Sequence, residues 1–177
     1  MEEKMENYKT SVDTMFRLGS DASIPNTDAK HAIILLGSIF NYAKDQVNVF
    51  CDNAKKEIFD DEFLANAIRN AVTRGVTVRF ILQRQRLDSS TVADILEKYP
   101  RDLISIKHYS GEINNLRHFT ESDEKAFRVE IDHDGATALG CANNSTVAKT
   151  YRKLFNILWD ASDVFAPQHE MITVCGN

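Results

Sequence analysis

Histidine changes charge near neutral pH, and His118 is the residue in this sequence best placed for acid–base work. It lies in the segment Asn114-Asn-Leu-Arg-His-Phe119, ahead of a predicted strand. Arg117 beside it is as easily a solvated charge. A single histidine in a loop is more often structural than catalytic, and that alternative stays open.

A charged strand face follows His118 in the chain. In the segment Phe127-Arg-Val-Glu-Ile131, the apolar side chains point one way, and Arg128 and Glu130 point the other. A guanidinium is a planar fork that can hold two phosphate oxygens. Two structural interpretations compete with a binding site: the charged face of an edge strand, or an ion pair between Arg128 and Glu130.

A second polar cluster follows the strongest predicted strand, in the segment Gln83-Arg-Gln-Arg86. In open α/β sheets, ligands collect outside the carboxyl ends of the strands. Asn53 and Lys55 leave a neighbouring strand at the same end, so Asn53 and Arg84 are predicted to form a small anion-binding rim. Ordinary surface charge is the alternative. Aromatic residues do not interleave the cluster, which argues against a stacking groove for single strands.

The chain of 177 residues has 43% hydrophobic and 27% charged residues, which is typical of a globular domain. Its net charge of -5 excludes a generally polybasic nucleic-acid binder but allows a local basic patch. Three widely spaced cysteines without a CxxC pair argue against disulfides and against a cysteine zinc site. They suit a reducing cytosol, and we expect a cytoplasmic protein.

Common catalytic and cofactor motifs are missing. The sequence has no GxGxxG after a strand, no phosphate-binding P-loop, no GxSxG and no HExxH. His118 and His133 lie among carboxylates, but their spacing matches no ligand pattern, so a solvated acidic turn is expected and neither metal nor cofactor is predicted. The apolar stretch Ala32–Phe40 is too short to cross a bilayer, and the first residues lack a secretory signal, so membrane insertion is not expected.

Strands and helices alternate along most of the chain. Helices are predicted over 32–43, 63–74, 89–99 and 145–159, and strands over 46–51, 76–82, 103–108, 127–131 and 137–141, with a turn around Asp134-Gly135 between the last two strands. This order predicts a mixed, mostly parallel α/β sheet flanked by helices. The expected helix starts are, in chain order, Asn26 or Thr27, Asp60 or Asp61, Asp88 or Ser89, and Ser145. Residues 1–25 are predicted to form a helical arm with a linker, residues 26–165 the α/β domain, and residues 166–177 a tail with a short strand near Met171.

The segment Phe127-Arg-Val-Glu-Ile-Asp-His-Asp-Gly-Ala-Thr-Ala-Leu-Gly-Cys-Ala-Asn143, with the helix ending near Trp159, resembles the second part of a phospholipase D-like domain. That superfamily carries H-x-K-x4-D on one strand, then a glycine–small–x–Asn turn after the next strand, then a helix. The upstream helix, strand, helix and Gly-Val strand occur here in the same order, and the resemblance covers roughly residues 28–162. It implies a phospholipase D-like sandwich.

Counted back from Gly140, the family's histidine falls on Ala126, its lysine on Arg128, its aspartate on His133 and its asparagine on Asn143. In the family, the histidine attacks phosphorus, while the lysine and the asparagine hold phosphoryl oxygens. Because a methyl group cannot be a nucleophile, the resemblance implies a degenerate motif that has lost its reaction and keeps its phosphate-binding half.

The leading hypothesis is therefore a catalytically degenerate phospholipase D-like module for recognition of phosphate or nucleic acid, or for assembly. The resemblance extends to microbial nucleic-acid and defence systems. It also implies a homodimer with the arm as a clasp, and a nucleotide or nucleic acid as ligand. The alternative is an active, metal-independent phosphodiesterase or nuclease that uses His118 in a rearranged site with Arg128 and Glu130.

Overall fold

The computed structural model describes residues 2–111, 116–132 and 137–165. Within these residues, helices cover both faces of one mixed sheet. The helices are α1 (Glu2–Leu18), α2 (Ala29–Tyr42), α3 (Lys56–Phe59), α4 (Glu62–Thr73), α5 (Ser90–Lys98) and α6 (Ser145–Asp160). The strands are β1 (Ser23–Asn26), β2 (Gln46–Cys51), β3 (Thr77–Leu82), β4 (Ile104–His108), β5 (Phe119–Ser122), β6 (Ala126–Glu130), β7 (Ala138–Cys141) and β8 (Asp163–Val164).

The strand order is β1-β7-β6-β5-β2-β3-β4-β8. A mixed α/β sheet is confirmed, but the expectation that most of it is parallel is wrong, because among the described strands only the β2–β3 and β3–β4 pairs are parallel. Those two pairs come from helical crossovers. The β5–β6 connection is instead a hairpin whose turn residues, Asp123 and Glu124, have φ values of 54° and 56°. The strands at the two edges, β1 and β8, also pair antiparallel.

Three strands lie where the sequence indicated none. The segment expected to be a linker contains β1, which pairs with β7, and neither β5 nor the short edge strand β8 was predicted. Two of the predicted helix starts, Asp61 for α4 and Ser89 for α5, are confirmed. Two others are wrong by one or two residues, since Asp28 caps α2 and Asn144 caps α6. The turn predicted at 134–135 and the strand predicted near Met171 lie outside the described residues.

Two apolar cores hold the layers together. The larger core joins α1, α2, α4 and α5 to one face of the sheet. The smaller one packs α6 on the other face, around Phe50, Phe119 and Phe155. The arm helix α1 belongs to the larger core through buried Val12 and Phe16, so it folds back on its own domain. None of the helices in the described ranges has the length and apolar character to cross a membrane.

Candidate functional site

Four strand ends meet at one edge of the sheet. The carboxyl ends of β2 and β3 lie side by side, and the start of β5 pairs with the end of β2, as Phe119 lies opposite Phe50. Phe119 also pairs with Val129, so the end of β6 comes to the same edge. This is the edge at which an open α/β sheet gathers its ligand-binding residues.

His118 lies at this edge between two oxygen atoms. Its Nδ1 is 2.9 Å from Oε2 of Glu130, and its Nε2 is 2.7 Å from Oε1 of Gln83. Carboxylate and amide oxygens only accept hydrogen bonds, so both ring N–H groups donate when the imidazole carries two protons. The ring is thus held from both sides, by β6 and by the loop after β3.

Arg128 continues the cluster on the inner side of Glu130. Its side chain is almost fully buried; Nε donates to Oδ1 of Asn26 at 2.7 Å, and one terminal nitrogen lies 3.4 Å from Oε1 of Glu130. Burial lowers the pKa of Arg128, and the attraction of Glu130 opposes this shift. Burial alone would raise the pKa of Glu130, but His118 and Arg128 together hold it below its usual value. The carboxylate is therefore ionised at neutral pH and joins the two basic groups.

The predicted residues do not all converge. The structure brings together His118, Arg128 and Glu130, but it places Asn143 elsewhere. The Asn143 side chain is exposed and donates to the backbone oxygen of Gly19, whereas the guanidinium of Arg128 extends toward Asn26. The expectation of a shared cleft for Arg128 and Asn143 is wrong, because Asn143 follows β7 at the end of the sheet opposite to His118.

The predicted rim is charged but internally paired. Arg84 Nε donates to Asp52 Oδ1 at 2.8 Å, and the Arg84 side chain is 68% exposed. Asn53 is buried and donates to Asp88, while its own Oδ1 is buried without a hydrogen-bond partner among the described residues. Arg84 is thus available to an anion from solvent, and Asn53 belongs to the supporting structure.

Cys51 ends β2 at the same edge and was not predicted as part of a site. Burial, reinforced by the negative charges of Glu130 and Asp52, raises the pKa of its thiol to about 12. A thiol must be ionised to attack or to bind a metal. Cys51 is therefore a poor nucleophile. Among the described residues, no group of three histidine, cysteine or acidic side chains is arranged to hold a metal ion.

Sequence reasoning placed Gln83 in the polar cluster after β3 but not beside His118, and it missed Asn26 and Tyr8 as members of this region. Asn26 was interpreted as a helix cap, and nothing in the local sequence shows that it supports an arginine 102 positions away. Tyr8, on α1, donates its hydroxyl to the backbone oxygen of Pro25 at 2.8 Å. Burial raises the pKa of Tyr8 to about 12, with Arg128 acting in the opposite direction. The arm helix therefore packs beside the Arg128 cluster.

A separate polar network lies under α6, at the opposite end of β5. Glu121 is fully buried and accepts two hydrogen bonds from Arg152, at 2.6 and 3.0 Å, and one from Asn48 at 2.8 Å. The sequence had grouped Glu121 with the carboxylates of an acidic turn around His118. The Glu121 carboxylate instead finds its hydrogen-bond donors within the fold. Because Arg152 belongs to α6, this network connects α6 to the sheet.

Comparison of the sequence with known protein families and with curated proteins finds no match. Solved structures do match. Nuc, a phospholipase D family member from Salmonella typhimurium, is 12% identical with a TM-score of 0.62, covering 81% of this chain and 97% of its own. NucT from Helicobacter pylori is 14% identical with a TM-score of 0.59, covering 81% and 99%.

TrmBL2, an archaeal chromatin protein with a novel mode of DNA binding, is 15% identical with a TM-score of 0.61. The match covers 80% of this chain, which spans only about half of TrmBL2, 52% of that chain. At such low identities these likenesses concern the fold. The chain has a phospholipase D-like α/β fold, as its resemblance to that superfamily predicts.

Proposed function

We propose that this chain is a phospholipase D-like domain without hydrolytic activity that recognises phosphate groups, most naturally those of a nucleic acid. The observation that carries the proposal is the absence of a histidine at the family's nucleophile position in either possible register. Counted from Gly140, that position is Ala126, which is buried on β6.

The hairpin after β5 offers the second register. Asp123 accepts backbone hydrogen bonds from residues 44, 45 and 46, at 2.7, 3.0 and 2.8 Å, and so pins the end of the strand. If Asp123 is the aspartate of H-x-K-x4-D, the histidine position falls on Leu116 and the lysine position on His118. Leu116 packs against the smaller core. A leucine, like an alanine, cannot attack phosphorus.

The hydrogen bonding of His118 supports a binding role. Each ring nitrogen is already engaged, with Glu130 on one side and Gln83 on the other. A nucleophilic or basic nitrogen needs an open approach to the substrate. A ring held on both sides in this way instead serves as a fixed hydrogen-bonding group at this edge, where the exposed Arg84 follows β3 and the exposed Lys55 follows β2. These two cations supply positive charge.

One observation favours a second candidate, an active phosphodiesterase or nuclease. The pair of His118 and Glu130, at 2.9 Å, has the form of an imidazole oriented by a carboxylate. A movement of Gln83 would release the hydrogen bond at Nε2 of His118. The two candidates differ in turnover, which is simple to measure.

Hydrolysis of bis-p-nitrophenyl phosphate, single-stranded DNA and RNA, with and without EDTA, tests catalysis. We expect no turnover. Hydrolysis that disappears in both His118→Ala and His118→Gln, with the fold of each variant checked by circular dichroism, would establish the enzyme and refute the binding module.

Fluorescence anisotropy with labelled single-stranded DNA, duplex DNA and RNA tests recognition. The double variant Lys55→Ala/Arg84→Ala should bind more weakly, and the slope of log K against log salt should fall by about one for each phosphate that is no longer neutralised. Lys149→Ala is the matched control, since Lys149 is an exposed cation on α6 near the opposite end of the sheet. Equal affinity in the double variant and the control would contradict the proposal.

A homodimer remains part of the proposal, on the strength of the family resemblance. The arm helix need not be exchanged for it, because α1 packs on its own α2. Light scattering of the intact chain should give twice the monomer mass. A monomer at all concentrations would remove the dimer and leave the phosphate-binding proposal standing.

A further inference from the structure

A cavity of about 990 Å³ lies at the other side of the sheet, along the edge of β4. At this edge β8 is only two residues long and pairs with Lys107 and His108 of β4. The remaining part of β4 is flanked by α5 on one face and by the end of α6 on the other. This volume is within the range of small-molecule binding sites in proteins.

The walls of the cavity are largely apolar. Leu87, Leu96 and Phe165 lie with the larger core, and Trp159 lies with the smaller core on the other face of the sheet. The tryptophan ring is fixed in place, since Phe155 stacks on it with ring centroids 5.7 Å apart, and the Lys107 ammonium lies 4.9 Å from its centroid. The guanidinium of Arg79 lies 5.1 Å from the same centroid, and the part of the ring that lines the cavity offers a fixed apolar surface.

The polar groups of the cavity are mainly cationic. Among the described residues, Arg86, Arg101 and Lys107 line it against one carboxylate, Glu97, although the chain as a whole has a net charge of -5. Arg86 is paired with Asp88, and Lys107 donates to the backbone oxygen of Trp159 at 2.8 Å. Arg101 is exposed at the rim. The local excess of positive charge favours an anionic ligand.

We propose that this cavity binds a nucleoside phosphate. The base covers the apolar lining, and the phosphate meets Arg101 and Lys107. Inorganic phosphate would leave the apolar walls unused, and an uncharged ring would leave the cations unused. A free nucleotide and the terminal nucleotide of a strand share this chemistry. The cavity is separate from the His118 edge and is tested independently of it.

The titration uses a probe that the sequence provides, because Trp159 is the only tryptophan. Its emission is followed while adenosine monophosphate, thymidine monophosphate, adenosine, inorganic phosphate or dodecanoate is added to the intact chain. We expect a saturable change in emission with the two nucleotides. Adenosine alone and phosphate alone should each bind at least about tenfold more weakly than the nucleotides. A short oligonucleotide with a terminal phosphate that binds more tightly than the free nucleotide would identify a strand end as the source; weaker binding would identify the nucleotide.

Two variants place the ligand within the cavity. Arg101→Ala should weaken nucleotide binding roughly tenfold, and Ala93→Phe should abolish binding, because the larger side chain would fill part of the cavity. Arg17→Ala, which removes an exposed arginine on α1 at the far side of the sheet, is the control and should bind as the unaltered chain does. Thermal unfolding with and without nucleotide gives a second measurement that does not depend on tryptophan emission.

Three results would overturn the inference: no response to either nucleotide, an unchanged affinity in Arg101→Ala, or dodecanoate binding as tightly as the nucleotides. The last result would mark the cavity as a site for an amphiphile. Each of them leaves the anisotropy measurements of nucleic-acid binding at the His118 edge unaffected, so the two proposals fail separately.

Discussion

Replacement of Glu130 by glutamine tests whether the charge network at the His118 edge holds the fold together. The carboxylate of Glu130 lies 2.9 Å from His118 and 3.4 Å from Arg128, whose side chain is only 6% exposed. Glutamine keeps the size of the side chain and removes its charge. Arg128 would then stay buried with Asn26 as a hydrogen-bond partner but without the negative charge of Glu130 beside it.

The expected cost follows from these two interactions. A hydrogen bond to a charged group contributes about 1.5–3 kcal/mol. The Glu130 side chain is 24% exposed and its contact with Arg128 is long, so solvent screening reduces the sum. We expect Glu130→Gln to lower the free energy of unfolding by about 2–3 kcal/mol at neutral pH, which is roughly 5–10 °C in Tm for a chain of this size.

The pH dependence has a definite sign. The folded-state pKa of Glu130 is below its ordinary value. Its stabilising contribution is therefore present above the unfolded-state pKa and is lost as the pH falls through the folded-state pKa. The difference in stability between the unaltered chain and Glu130→Gln should be largest at pH 7 and should narrow below roughly pH 4.

Urea unfolding, followed by circular dichroism at neutral and acidic pH, measures both quantities. Glu6→Gln is the matched control, because Glu6 is exposed on α1 and its loss should change stability by no more than about 0.5 kcal/mol. The reasoning is refuted if the two variants lose the same stability at pH 7, or if the deficit of Glu130→Gln is independent of pH.

Three further changes probe the scaffold by the same urea measurement. Arg152→Leu should cost about 3–5 kcal/mol, because it leaves the fully buried Glu121 carboxylate without its cation; a near-neutral result would contradict this. Gly37→Ala should cost about 1–3 kcal/mol, because an added Cβ would collide with the ring of Phe63, and Phe63→Leu in the same chain should recover part of the loss. Asp60→Ala should cost about 1–2 kcal/mol at pH 7. Burial raises the Asp60 pKa, but hydrogen bonds from Ser89 and the first residues of α5 outweigh burial and lower this pKa from 3.8 to about 2. The stabilisation by Asp60 is therefore present above about pH 4 and disappears as the pH falls toward 2.

The parallel part of the sheet was predictable because its signals are local. β2 and β3 are apolar, and the helices before and after them carry regular apolar stripes with caps at Asp61 and Ser89. β5 has no such signal. All four of its residues are buried, but Thr120, Glu121 and Ser122 are polar, and Glu121 is tolerated there because Arg152, Asn48 and the backbone N–H of Glu124 donate to it. A rule that places apolar residues inside cannot find a strand whose burial depends on partners far along the chain.

The same limit separates the predicted site from the observed one. The alternation Arg128-Val-Glu130 is visible in the sequence, so the pairing of these two side chains with each other was foreseeable. The motif count placed Asn143 in a cleft with Arg128. In the structure, Asn143 follows the carboxyl end of β7, away from His118, and its side chain donates to the backbone oxygen of Gly19 at the end of α1.

The amino-terminal segment is structurally part of the His118 edge. Asn26, on β1, accepts from Arg128, which contacts Glu130, which in turn contacts His118. β1 is held by its pairing with β7 and by the hydrogen bond from Tyr8 of α1 to Pro25. Removal of residues 1–25 would therefore remove most of the strand that positions Asn26 against the buried Arg128. A chain that begins at residue 26 should therefore lose at least as much free energy of unfolding as Glu130→Gln loses. A truncated chain with unaltered urea stability would show that Arg128 does not need β1.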